Sequence, residues 1–136
     1  MFAQIAVKTS PTEKYSSWNN VCLRIAKNVG QAGRPVVLCG TALPEQFEEC
    51  LERRYFKTLH YLTLVCNDDV LVERLKRRPE WRQTHSPEVL KKMVQFNRWL
   101  KANASLTKLP MTLYDTSQRD IDETIEYVAK RVRERL

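Results

Sequence analysis

Long apolar runs and glycine are both scarce in this sequence of 136 residues. No stretch approaches ~18 consecutive apolar residues, the length that a membrane-spanning helix requires. The opening segment MFAQIAVKTSPTEK has neither a basic start nor a long apolar run, so we expect no signal peptide. The three glycines all lie between residues 30 and 40. These absences predict a cytoplasmic protein with no membrane partner.

Cysteine and histidine are present, but not in patterns that bind metals. The cysteines lie in apolar segments, at spacings that match no zinc or redox pattern, so we expect reduced packing residues. His60 and His85 have no second ligand nearby in the sequence, so we predict no metal site. The cysteines are Cys22, Cys39, Cys50 and Cys66.

The charge balance is the unusual feature of the composition. Lysine and arginine number 23 against 16 aspartates and glutamates, which gives a net charge of +7. Hydrophobic residues make up 43% and charged residues 29%, values typical of a globular chain. We therefore predict one domain over residues 1–136. An anionic partner suits the charge, either nucleic acid or a phosphorylated small molecule, and a solvated basic surface is the alternative.

Helical patterns alternate with short apolar runs along the chain. Pro11 can open a helix that Gly30 or Gly33 ends, with an inner face of Trp18, Val21, Cys22, Ile25 and Val29. Apolar runs at residues 36–39, 59–66 and 111–114 predict buried strands. Helices are predicted from Pro44, after Asn67, from Ser86 as cap with Pro87 at the first position, and along residues 121–132. This order predicts an α/β fold, with a parallel sheet flanked by helices.

Small or polar residues follow each predicted strand. Ligands of open parallel sheets bind outside the carboxyl ends of the strands, so these residues form a candidate site. The alternative is that they are ordinary turn and cap residues. They are Gly40 and Thr41, Asn67 and Asp68, and Asp115, Thr116 and Ser117.

The stretch RLKRRPEWR at residues 74–82 is the second constellation, with four arginines and one lysine. Arginine offers phosphate a planar fork of donors and keeps its charge. A helical flap carrying arginines suits closure over a polyphosphate and neutralisation of charge in a transition state. A solvated helix face followed by a loop is the alternative.

Taken together, these segments resemble P-loop kinases of the nucleoside and small-metabolite type. The resemblance rests on VVLCGTALP at residues 36–44, the run 59–66 ending in Asn67 and Asp68, RLKRRPEWR, and DTS at 115–117. It covers roughly residues 15–136. It implies the C-terminal portion of an ATP-dependent phosphotransferase, with a helical lid at about residues 70–104.

The resemblance also implies roles for single residues. Gly40 and Thr41 would bind the phosphate acceptor. Arg74, Arg78 and Arg82 would belong to the catalytic lid over the ATP phosphates. The loop that passes beside the adenine would consist of Asp115, Thr116 and Ser117.

The phosphate-binding loop of that family is absent from the sequence. Those kinases begin with a strand, the motif G-x-x-x-x-G-K-[ST] and a helix, which hold the phosphates and Mg²⁺. This chain has no Gly-Lys-Ser or Gly-Lys-Thr and no glycine before Gly30. We therefore predict a truncated or degenerate kinase-like protein that is not catalytic alone and binds ATP and Mg²⁺ weakly or not at all.

The missing segments predict association. In the family the first strand lies between the strands that correspond to residues 36–39 and 59–66, so its loss leaves two unpaired edges. We predict either that residues 1–7 insert into the sheet or that two chains complete each other by strand exchange as a homo-oligomer.

Two other functions stay open. The charge of +7 and the basic stretch suit a nucleic-acid-binding module. However, Trp18, Trp81 and Trp99 are not interleaved with the basic residues as a stacking platform would be, so the sequence disfavours nucleic acid. An interaction module whose open sheet edges meet another protein is the remaining alternative.

Overall fold

The computed structural model describes residues 11–136, with side chains from residue 17 onward. The chain divides into two compact units, Met1–His60 and Tyr61–Leu136. Each unit is described by itself, and the single domain over residues 1–136 stays a prediction. The strand proposed at residues 1–7 lies outside the described residues.

A long helix forms the first unit. Helix α1 spans Pro11–Gln31, and Gly33 follows it with a φ of 74° that an L side chain rarely adopts, as predicted for the helix end. Among its described side chains, Asn19, Leu23 and Ala26 are buried, whereas Trp18 and Ile25 are 43% and 50% exposed. The predicted inner face is therefore wrong by about a third of a turn around the helix axis. The helix packs against the short helical segments that follow it in the chain, and its stripe of buried side chains is narrower than the predicted face.

The strand predicted at residues 36–39 is wrong. This segment is irregular, and Val36, Val37 and Leu38 are exposed. A strand requires a hydrogen-bonded neighbour, and within residues 11–136 no strand pairs with this segment. Apolar character alone therefore does not make it a strand.

An ion cluster around one buried carboxylate joins the elements of the first unit. Helix α2 spans Pro44–Glu48 and a 3₁₀ turn spans Leu51–Tyr55, and both pack against α1. The buried Glu52 carboxylate accepts hydrogen bonds from Arg24 Nε at 3.1 Å and Lys27 Nζ at 3.2 Å. Burial raises the pKa of Glu52, but the bonds from Lys27 and Arg24 outweigh it, so the net pKa is lowered. The carboxylate therefore stays ionised and holds the turn on the helix.

The second unit contains a two-stranded parallel sheet. Strand β1 spans Leu62–Val65 and β2 spans Thr112–Asp115, with Leu62 opposite Thr112 and Val65 opposite Asp115. Both strands fall within or beside the runs predicted at residues 59–66 and 111–114. The α/β class with a parallel sheet is therefore confirmed, and the sheet has two strands in the part of the chain that is described.

Three helices accompany this sheet. Helix α3 spans Asp68–Lys76, α4 spans Pro87–Asn103 and α5 spans Ile121–Arg133, with a 3₁₀ turn at Glu80–Arg82. The predicted cap of α4 is confirmed, since Ser86 Oγ accepts from the Val89 N–H at 3.3 Å. Tyr127 of α5 stacks on Tyr114 of β2, with ring centroids 3.7 Å apart. None of the helices within residues 11–136 has the length and apolarity to cross a membrane.

Candidate functional site

The two strands end side by side, and their exits are joined by hydrogen bonds. The Thr116 N–H and Oγ1–H both donate to the Val65 carbonyl, at 2.8 and 3.1 Å. The Asn67 N–H donates to Ser117 Oγ at 2.8 Å. Two of the three polar exits that the sequence suggested therefore meet at the carboxyl edge of the sheet.

The third exit lies in the other unit. Gly40 and Thr41 form an exposed bend, and the segment before them is not a strand. The argument that brought them to the sheet edge depended on that strand. Their acceptor-binding role stays a prediction without this support.

The exit of β2 is a fixed polar turn. Asp115 Oδ1 accepts from the Ser117 N–H at 2.8 Å and from Ser117 Oγ at 2.5 Å. These bonds from Ser117 are the main reason that the pKa of Asp115 lies below its ordinary value. At neutral pH the site therefore presents a carboxylate in a defined position.

An open depression of about 460 Å³ lies at this edge. Its lining is polar and carries charges of both signs. The Arg119 guanidinium carbon lies 5.3 Å from the ring centroid of Tyr114, which turns the cation toward the sheet. The lining residues are Asn67, Asp115, Ser117, Gln118 and Arg119.

Of the three predicted lid arginines, Arg74 reaches the strand exits. Its guanidinium donates to Thr116 Oγ1 at 2.7 Å and to the Thr116 carbonyl at 2.8 Å. Thr116 is buried, so Arg74 links α3 to the exit of β2. The described contacts of Arg74 are thus structural.

Arg78 and Arg82 are arranged differently. The Arg82 guanidinium carbon lies 5.0 Å from the Trp81 ring centroid, and the Arg78 side chain is exposed. Among the described residues, no hydrogen bond or ion pair joins either side chain to the strand exits. Their catalytic role stays a prediction, and so does the lid at about residues 70–104.

Asn97 is a residue of this region that the sequence analysis did not identify. It is buried on α4, where its Nδ2 donates to the Cys66 carbonyl at 2.8 Å and its Oδ1 accepts from the Cys66 N–H at 3.3 Å. It therefore takes the place of a neighbouring strand at the end of β1. The sequence does carry a signal, because Asn97 stands four residues after Met93 and three before Leu100, a spacing that puts these residues on one side of the helix.

Asp68 at the start of α3 belongs to the same network. Its Oδ2 accepts from Arg98 Nε at 2.7 Å, and its Oδ1 accepts from Asn97 at 3.3 Å. The bond from Arg98 is the largest cause of the lowered pKa of Asp68. This carboxylate is therefore occupied by protein partners and is a weak candidate for ligand binding.

The site can bind a polar or anionic ligand, but it does not fit a metal held by the protein. Within the described residues, no group of three His, Cys, Asp or Glu side chains could hold an ion. The amide, hydroxyl and carboxylate of the lining suit hydroxyls and base edges, and Arg119 suits a phosphate. Comparison with protein-family models, curated proteins and solved structures found no match for this chain.

Proposed function

We propose that this chain binds a nucleotide, or a related phosphorylated small molecule, at the carboxyl edge of its sheet without catalysing phosphoryl transfer. The observation that carries the proposal is the open depression beside Asp115 and Arg119. It lies where parallel α/β sheets generally bind ligands. The proposal describes a nucleotide-binding remnant of an ATP-dependent small-molecule kinase.

The charges of the depression support a nucleotide over a simple anion. Asp115 is an ionised acceptor, which repels free phosphate but suits a ribose hydroxyl or an exocyclic amine. Arg119 supplies a cation for the phosphate chain or a planar surface for the base. A ligand that carries both donors and a negative charge satisfies both residues.

The sequence argues against catalysis by this chain alone. Phosphoryl transfer depends on positioned charges around the γ-phosphate, and the lysine and hydroxyl of the phosphate-binding loop are the main ones. No Gly-Lys-Ser or Gly-Lys-Thr occurs in the chain. Mg²⁺, if bound, would have to come with the nucleotide.

Calorimetric titration of the full chain tests the nucleotide proposal. We expect ATP to bind, and Arg119→Gln to weaken ATP binding roughly tenfold or more, as for loss of a charge-assisted hydrogen bond. Arg133→Gln removes the same charge from the end of α5 and should leave the affinity unchanged.

Tripolyphosphate serves as the competing probe in the same titration. Equal affinity for ATP and tripolyphosphate, lost together as salt rises, would mean that the chain binds polyanions through its overall charge. The absence of detectable ATP binding at two titration temperatures would also contradict the proposal.

We further propose that the sheet of one chain is completed by a second copy. Parallel sheets are normally covered on both faces and two-stranded sheets are marginal, yet the apolar side chains around this sheet remain accessible. Ile121 and Ile125 of α5 are 75% and 58% exposed, and Leu64 of β1 is 48% exposed. Such a surface favours association between chains.

Light scattering coupled to size-exclusion chromatography measures this association. We expect a dimer or larger species at micromolar concentration, and a monomer for the double variant Leu64→Lys with Ile125→Lys. Leu106→Lys is the matched control, because Leu106 is also exposed but lies in the loop after α4. A monomeric wild-type chain would overturn the proposal.

A further inference from the structure

The turn between α3 and α4 exposes an aromatic ring beside several cations. Trp81 is 74% exposed, in a 3₁₀ turn closed by the Arg82 N–H on the Pro79 carbonyl at 2.9 Å. Trp99, in contrast, stacks on Phe96 with ring centroids 6.4 Å apart. In the part of the chain that is described, no aromatic ring stacks on Trp81.

Hydrogen bonds hold this turn in place. Thr84 Oγ1 donates to the Leu75 carbonyl at 3.0 Å, and His85 Nε2 donates to the Arg78 carbonyl at 2.7 Å. Gln83 ends the turn in the left-handed region, with a φ of 54°. The segment that follows the ring is therefore tied back to the end of α3, so Trp81 is presented in advance of any ligand.

The cations near the ring are available for a ligand. The Arg82 guanidinium carbon lies 5.0 Å from the Trp81 centroid. Arg78 is exposed and forms no hydrogen bond or ion pair through its side chain among the described residues, whereas Arg77 pairs with Glu73. The turn thus combines one free π-face with two arginines that can contact phosphates.

We propose that this turn binds single-stranded nucleic acid, with a base stacked on Trp81 and the flanking phosphates on Arg78 and Arg82. Stacking of bases on aromatic rings together with arginine contacts to the backbone is how proteins bind single strands without sequence preference. The net charge of +7 favours the approach of a polyanion. The sequence disfavoured nucleic acid because its three tryptophans are not interleaved with the basic residues, but the structure shows one exposed ring, Trp81, beside Arg82 and near Arg78 in sequence.

A membrane surface is a poorer occupant for this turn. Binding at a membrane interface requires an apolar face several side chains wide. The neighbours of Trp81 are Pro79, Glu80, Arg82 and Gln83, all exposed and mostly polar or charged. A nucleic-acid base needs only the one ring.

Fluorescence anisotropy of a labelled oligo-deoxythymidine, titrated with the full chain, tests this inference. Trp81→Ala should weaken binding about fivefold or more, the range found when a stacked base loses its ring. Trp81→Phe, which keeps a ring, should bind within about twofold of the wild type. The plot of log affinity against log salt has a negative slope, and Arg78→Gln and Arg82→Gln should each make it less steep by about 0.7.

Arg133→Gln is the charge-matched control and should leave both the affinity and the salt slope unchanged. Arg119→Gln should do the same, which separates this site from the proposed nucleotide site. Unchanged binding by Trp81→Ala would overturn the inference, and so would equal effects of Arg78→Gln and Arg133→Gln. Equal affinity for duplex DNA, or Trp81-dependent binding to phosphatidylserine vesicles in preference to the oligonucleotide, would also overturn it.

Discussion

Replacing Asn97 by alanine is expected to lower the free energy of unfolding by about 2–4 kcal/mol. The Asn97 amide satisfies both the N–H and the carbonyl of Cys66, and Asn97 and Cys66 are both buried. Alanine leaves those two backbone groups without a partner, and each such group destabilises the fold by about 1–3 kcal/mol. Urea denaturation of the full chain, followed by circular dichroism, measures the change.

Asn103→Ala is the matched control on the same helix. The Asn103 Nδ2 donates to the Trp99 carbonyl at 2.8 Å, but this bond is exposed to solvent. Water can replace the lost donor, so we expect a change of no more than about 0.5–1 kcal/mol. Similar losses for Asn97→Ala and Asn103→Ala would show that Asn97 does not act as the neighbour of β1.

Arg74→Met is expected to destabilise the fold by roughly 1.5–3 kcal/mol, the range for hydrogen bonds that involve a charged group. Methionine retains the apolar stem of arginine but cannot donate to Thr116 Oγ1 and the Thr116 carbonyl. The Thr116 hydroxyl would keep its bond to Val65, whereas the Thr116 carbonyl would lose its guanidinium partner. The same denaturation experiment measures this loss.

Arg78→Met separates a structural role from a general effect of charge. Arg78 lies two residues beyond the end of α3, and within the described residues its side chain forms no hydrogen bond or ion pair. We therefore expect its replacement to change stability by less than about 0.5 kcal/mol. Equal destabilisation by Arg74→Met and Arg78→Met would contradict the link between α3 and β2.

The strands show how far local pattern predicts this fold. The apolar runs that contain β1 and most of β2 were recognisable because each is bounded by turn residues and followed by a polar exit. The run at residues 36–39 has the same character, yet it is irregular and exposed. A strand depends on hydrogen bonds to another strand, and local sequence does not record whether that neighbour is present.

The candidate site shows the same limit at the level of side chains. Asp115, Thr116 and Ser117 were predictable as a strand exit because of their residue types and position. The basic stretch does not reveal that Arg74 bonds to Thr116 while Arg82 lies against Trp81. The role of Arg74 is set by a neighbour 42 positions away in the sequence, whereas residue type is alike for all three lid arginines.

The pairing of β1 with β2 has a consequence for how the chain folds. Asn67 and Ser117, whose hydrogen bond joins the two exits, are separated by 50 positions, and α3 and α4 lie in the intervening segment. Contacts between distant positions form slowly because a long loop must close first, whereas α3 and α4 pack against each other over a shorter separation. We expect the helical pair to assemble early and to shorten the effective loop. The carboxyl edge of the sheet would then form only in the last stage of folding, so that a ligand bound there would slow unfolding more than it would speed folding.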